Sequence, residues 1–142
     1  MKTFLLEAEF MAEQNHRPRV LLADDHAGML ERVRELLCSE FEIVDALSDG
    51  LLVRDAVERT RPDVIVMDVG MPGQDGIKTA KQLRHLGCTA KIVFLTVAQD
   101  EDYIAAAFAA GGAAYVLKGR MQLDLIFAMK EALSGRSFIS SR

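Results

Sequence analysis

Cysteine, excess positive charge and long apolar runs are what this chain has least of, and each scarcity bears on function. The two cysteines, Cys38 and Cys88, lack metal-ligand spacing, so they offer no zinc module and are expected to be reduced structural thiols of a cytosolic protein. A net charge of −4 argues against this chain gripping nucleic acid or an anionic membrane by itself. No apolar stretch approaches the length of a membrane span. The opening MKTFLLEAEF is interrupted by Glu7 and Glu9, which makes it a poor secretory signal. No Ser-His-Asp or Cys-His arrangement and no phosphate-cradling glycine motif occurs. What remains is 142 residues, half hydrophobic and 27% charged, the mix of one globular domain with a substantial core and an expected cytoplasmic location.

From Arg19 onward, short apolar runs alternate with amphipathic segments of helical length. VLLA (20–23) precedes AGMLERVRELL, in which Met29, Leu30, Val33, Leu36 and Leu37 recur at three- and four-residue steps. EIVDAL is weaker and reads as an edge strand. Asp49-Gly50 turns into LLVRDAVERT, which Pro62 stops. VIVM (64–67) is continuously apolar, as expected of a strand covered on both faces. The glycine- and proline-rich GMPGQDG then turns the chain into IKTAKQLRHL, with Gly87 as C-cap. IVFL (92–95), EDYIAAAFAA, AAYVL and LDLIFAMKEAL complete the alternation, the last with Leu125, Met129 and Leu133 on one stripe.

Five strands alternating with five helices predict an α/β fold, a doubly wound five-stranded parallel sheet of order 2-1-3-4-5. In such sheets ligands bind beyond the carboxyl ends of the strands, where the winding reverses. The polar residues that end the apolar runs meet there: Asp24 and Asp25, Asp68, Thr96 and Lys118. Three carboxylates in one place repel one another unless a cation joins them, and Mg²⁺ is the natural one for hard oxygen ligands. A carboxylate beside that cation can act as a nucleophile and become an acyl phosphate. An ammonium and a hydroxyl can then hold the phosphoryl oxygens. An aspartate after a strand is, taken alone, more often a turn former or helix cap; the coincidence of all five residues on one edge favours a site. Asp25-His26 suggests a metal ligand or base, but opening the first helix is the role expected of His26, while His16 and His85 fall on surface segments.

VLLADDH, VIVMDVGMPGQDG, IVFLT and GGAAYVLKG resemble segments of the receiver domain of two-component response regulators, a flavodoxin/CheY-like fold. The resemblance covers about Arg19 to Ser137. The DDH triplet, the MPGQDG loop and LTVAQDEDY look most like the LuxR/NarL class of transcription factors. The resemblance implies that Asp68 accepts a phosphoryl group from a sensor histidine kinase. It implies that Asp24 and Asp25 form the acidic pair, and that Asp25, Asp68 and the backbone carbonyl of Gly70 bind Mg²⁺. Thr96 and Lys118 would contact the phosphoryl group, and Tyr115 would be the switch aromatic that turns inward as Thr96 moves. Two departures matter. Gly70 stands where many receivers carry a polar side chain that influences hydrolysis, so a comparatively long-lived phosphorylated state is expected. Gly119 replaces a common proline, so no cis peptide is expected after Lys118.

The alternation leaves an N-terminal extension (1–17), expected to be poorly ordered in preference to a docking helix with Phe4, Leu5, Leu6 and Phe10 on one face, before a receiver (18–137) and the start of a linker or tail (138–142). LuxR-class proteins run from this point into a linker and a helix-turn-helix domain, so the chain is expected to be the receiver segment of a longer transcription factor, with a single-domain regulator as the alternative. DNA would be contacted only through such a further domain. Phosphorylation is expected to promote a homodimer through the last helix or the face from the fourth strand to the fifth helix. Two other functions compete. A phosphatase with an aspartyl-phosphate intermediate wants a second acid two residues after the nucleophile, where Gly70 stands. A receiver-like module that takes no phosphate would have no use for the full set of polar strand ends. The chain is therefore read as a switch, catalysing only its own phosphorylation and dephosphorylation.

Overall fold

Period-two alternation in strands that are buried on both sides gives each strand two apolar faces, and that property organises the molecule. A computed structural model describes residues 16–141. Its strands are β1 (Arg19–Ala23), β2 (Glu42–Leu47), β3 (Val64–Met67), β4 (Lys91–Thr96), β5 (Ala114–Leu117) and β6 (Phe138–Ile139). They form one parallel sheet in the order β2-β1-β3-β4-β5-β6. The helices are α1 (Ala27–Leu37), α2 (Val53–Thr60), α3 (Gly76–His85), α4 (Glu101–Ala109) and α5 (Met121–Leu133), with short 3₁₀ turns at Gly50–Leu52 and Lys118–Arg120. Val20, Leu22, Val64, Val66, Val93, Leu95 and Val116 face α1 and α5. Their neighbours Leu21, Ala23, Ile65, Met67, Phe94 and Tyr115 face α2, α3 and α4. The α/β class, the doubly wound order and the edge position of β2 are as the sequence predicts.

Two expectations are corrected. The sheet has six strands, not five, because Phe138 and Ile139 pair with Ala114 and Tyr115. A two-residue strand is too short to carry a periodic signal, and it lies where a linker or tail was expected to start. Leu133, placed on the buried stripe of α5, is exposed, and Ala132 is buried in its stead. Residues 1–15 of the expected extension lie outside the described residues. Of its last two, Arg17 donates from Nη1 to the Cys38 carbonyl at 2.8 Å. No helix among the described residues is long and apolar enough to cross a membrane.

The register places the site. β1 and β3 end side by side, with Ala23 opposite Met67, and the Asp68 amide donates to the Ala23 carbonyl at 3.0 Å. The next residue on each strand is thus an aspartate at the switch point. The loop after β3 folds back on itself: the Gly76 amide donates to the Val69 carbonyl at 2.7 Å, and Asp75 caps α3 by accepting from the Lys78 amide at 2.8 Å. A β-carbon on Gly76 would overlap the Asp68 carbonyl oxygen, so only glycine lets α3 start this close behind the aspartate.

Candidate functional site

Asp24 and Asp68 each retain only 5% of their exposure, an environment that carboxylates tolerate when paired. The partner is Lys118, carried past the end of β5 by the 3₁₀ turn. Its Nζ lies 2.7 Å from Asp24 Oδ2 and 2.7 Å from Asp68 Oδ2. Burial alone would lower the pKa of this ammonium, but hydrogen bonds to Asp24 and Asp68, with their charges, outweigh it and hold the pKa above the ordinary lysine range. The Gly70 amide donates to Asp68 Oδ1 at 3.2 Å, so both oxygens of Asp68 are engaged. The peptide after Lys118 is trans.

Asp25 is exposed at the rim. His26 precedes α1 in the N-cap position without a side-chain cap bond. Its Nδ1 stands 3.1 Å from an oxygen of each of Asp24 and Asp25, and its amide donates to Asp24 Oδ1 at 2.9 Å. One ligand atom each from Asp24, Asp25, His26 and Asp68 lies within 4.8 Å of all the others. Within that cluster three carboxylates face the one ammonium of Lys118. Counting the three carboxylates against that ammonium leaves the formal charge that one divalent cation cancels. The donor set therefore fits a hard divalent ion.

Thr96 ends β4 and is buried. Its Oγ1 accepts from the Ala98 amide at 3.3 Å, while the Tyr115 hydroxyl donates to the Ala98 carbonyl at 2.8 Å. The two residues assigned to the switch thus grip one backbone unit of the β4–α4 loop. Tyr115 is 1% exposed, so its ring already occupies the inward position that the sequence reading assigned to the phosphorylated state. Burial, and then the charge of Asp68, push its phenol up to about 12.

A groove of about 610 Å³ opens from this edge, with Asp68, Gly70, Thr96 and Lys118 beside the apolar Val69, Ile77 and Val97. Asp24, Asp68, Gly70, Thr96 and Lys118 therefore stand at the carboxyl edge with Asp25 exposed beside them, while Tyr115 lies within β5 and reaches the edge through its hydroxyl. The sequence reading ranked a metal ligand or base at His26 below the role of opening α1, and it did not place the imidazole on both carboxylates of the acidic pair. It also missed Gly76 behind Asp68; the GQDG turn was read only as a sharp bend, and a steric role for its last glycine has no signal in composition.

Residues 20–130 match the family model of the response regulator receiver domain. A nitrate/nitrite response regulator protein homolog of Haemophilus influenzae is 35% identical over 124 residues, 86% of this chain and 60% of that protein. The chemotaxis protein CheY of Halobacterium salinarum is 30% identical over 116 residues, 82% of this chain and 97% of that protein. A crystal structure of a LuxR-family two-component response regulator from Aurantimonas sp. SI85-9A1 superposes with a TM-score of 0.83 at 30% identity, covering 88% of this chain and 91% of the other. A parallel sheet with an acidic, lysine-bridged carboxyl edge defines the class, and the matches give it its name: the chain belongs to the response regulator receiver domain family, with its likeness in the NarL and LuxR groups. The chain spans about half the length of the first such regulators it matches, 52% of a DegU protein and 57% of a NarL protein.

Proposed function

We propose that the chain is a phosphorylation-driven switch in which Asp68 takes a phosphoryl group from a histidine kinase, with Mg²⁺ held by Asp24, Asp25, Asp68 and the Gly70 carbonyl. The observation that carries this reading is the buried Asp68 carboxylate, bound by Lys118 and packed within 4.8 Å of further acidic ligands. A carboxylate oxygen of Asp68 attacks the phosphorus of a phosphohistidine. The P–O bond forms as the P–N bond breaks, and the leaving imidazole nitrogen keeps the electron pair and takes up a proton. The metal, when bound, offsets the negative charge gathered on the phosphoryl oxygens. Lys118 supplies the protein's own positive charge at Asp68, and Thr96 offers a hydroxyl to a phosphoryl oxygen. Thr96 moves the Ala98 unit as it does so, and Tyr115, already inward and bonded to the same unit, holds the loop in its new place.

The readout is the surface of α4 and β5. α4 buries little besides Ala107, so few packing contacts oppose its displacement. The name of a matched transcriptional regulatory protein supports a transcriptional output; a DNA-binding domain outside this chain, a phosphorylation-dependent homodimer and a cytoplasmic setting complete the proposal. The chain turns over no substrate besides its own phosphoryl group. Incubation with Mg²⁺ and a small phosphodonor, followed by intact mass measurement, tests the proposal. One added phosphate, lost in Asp68→Asn, is expected. No adduct, or many turnovers of an added phosphoester, would refute it.

A further inference from the structure

Lys118 reaches Asp24 and Asp68 on a long, freely rotating side chain, so its aim depends on how firmly its backbone is held. That backbone is clamped from outside the site. The Leu117 amide, one residue before the lysine, donates to Ser140 Oγ at 3.1 Å. Ser140 Oγ in turn donates to Asp124 Oδ2 at 2.8 Å. Arg120, two residues after the lysine, donates from Nε to the same Asp124 oxygen at 2.9 Å. Both flanks of the 3₁₀ turn that carries Lys118 therefore end on one serine–aspartate pair. Ser140 is itself fixed, since it is buried and its amide donates to the Tyr115 carbonyl at 2.9 Å. Asp124 is buried as well. Burial raises its pKa, but the hydrogen bonds from Arg120 and Ser140 outweigh that and keep it ionised, which makes it a strong acceptor for both donors.

We infer that Ser140 and Asp124 are positioning residues for phosphoryl transfer, holding the chain on either side of Lys118 so that its ammonium stands on the acceptor aspartate. The inference rests on the reading of Asp68 as that acceptor. It also gives β6 a task beyond covering a strand: the segment that runs out of the domain completes the support of the phosphoryl-sensing lysine.

The test is a phosphorylation time course on the whole chain with Mg²⁺ and acetyl phosphate, followed by intact mass over a range of donor concentrations. Ser140→Ala is expected to slow the reaction about tenfold at saturating donor, the order expected from one lost buried hydrogen bond in the support of a reacting group. The half-saturating donor concentration should stay unchanged, and Ser140→Thr, which keeps the hydroxyl, should restore the rate. Asp124→Asn should slow the reaction similarly, and the double variant no further than the slower single one. Leu36→Ala, partly buried in α1, serves as a control for lost stability alone and should keep the wild-type rate. Should Ser140→Ala fail to fold, Arg120→Gln breaks the same network from its exposed end and should also slow the reaction. Wild-type rates in Ser140→Ala, or in Arg120→Gln where that variant replaces it, would overturn the inference and leave Asp68 as acceptor. Equal slowing in Leu36→Ala would do the same. Absence of any wild-type adduct would overturn the acceptor reading, and this inference with it.

Discussion

Gly76→Ala puts two opposing effects on one atom. Gly76 is the first residue of α3, and alanine in a helix is favoured over glycine by about 1 kcal/mol. The new β-carbon, however, would lie well inside the 3.0 Å that real β-carbons keep from the Asp68 carbonyl oxygen, with the Asp68 carbonyl carbon at 3.0 Å and Val69 Cα at 3.1 Å. All three neighbours are backbone, so none can turn away as a side chain would. Overpacking of this kind costs about 1–3 kcal/mol, and an all-backbone clash belongs at the upper end. The net loss is expected to be about 2 kcal/mol, or roughly 7 °C in Tm for a chain of this size. Gly28→Ala is the matched contrast: it lies in α1, and its β-carbon meets nothing within 4 Å. It should stabilise by up to about 1 kcal/mol. Thermal and urea denaturation of both variants give the two signs, and the mass assay should show slower phosphate uptake in Gly76→Ala alone. A Gly76→Ala protein that melts at or above the wild-type temperature would refute the steric reasoning.

Other perturbations report on the charges and the loops. Lys118→Ala leaves Asp24 and Asp68 buried without their shared cation, so a loss of about 3 kcal/mol is expected; millimolar Mg²⁺ should raise the melting temperature of this variant more than that of the wild type. Tyr115 has its phenol raised from near 10 to about 12, so the fold keeps this contribution below pH 10 and loses it as pH rises towards 12. The two-unit shift corresponds to about 2–3 kcal/mol, and urea titrations at pH 8 and 11.5 should show a smaller alkaline loss in Tyr115→Phe. Gly70→Asn fits in open space and should shorten the phosphoryl lifetime at Asp68, read as decay of the adduct mass; unchanged decay would remove Gly70 as the cause of a long-lived state.

The parts of the fold that were legible in sequence are those whose physics is local and repeated. The stripe through AGMLERVRELL predicts a helix with the bounds found for α1, because three- and four-residue spacing is what an amphipathic helix requires. VIVM predicts β3 without error, since a strand buried on both faces must be apolar throughout. The site was legible for a related reason: each polar residue interrupts an apolar run at a strand end, and parallel topology brings strand ends together. What stayed hidden depends on partners distant in sequence. β6 exists because Phe138 and Ile139 find β5, and Ser140 is functional only through Leu117 and Asp124. His26 could be placed at the start of α1, but not over the acidic pair, because its side-chain direction is set by tertiary geometry.

β6 also has a bearing on solubility. Open strand edges are templates for other chains, and natural sheets cap or shorten them. In this molecule a two-residue strand covers Ala114 and Tyr115, and its brevity leaves little ladder for a second molecule to extend. A fragment trimmed after Ser137 would bare the edge of β5 beside the already exposed Leu123 and Phe127. Such a fragment should self-associate on concentration, so the boundary chosen for an isolated receiver decides whether it stays monodisperse.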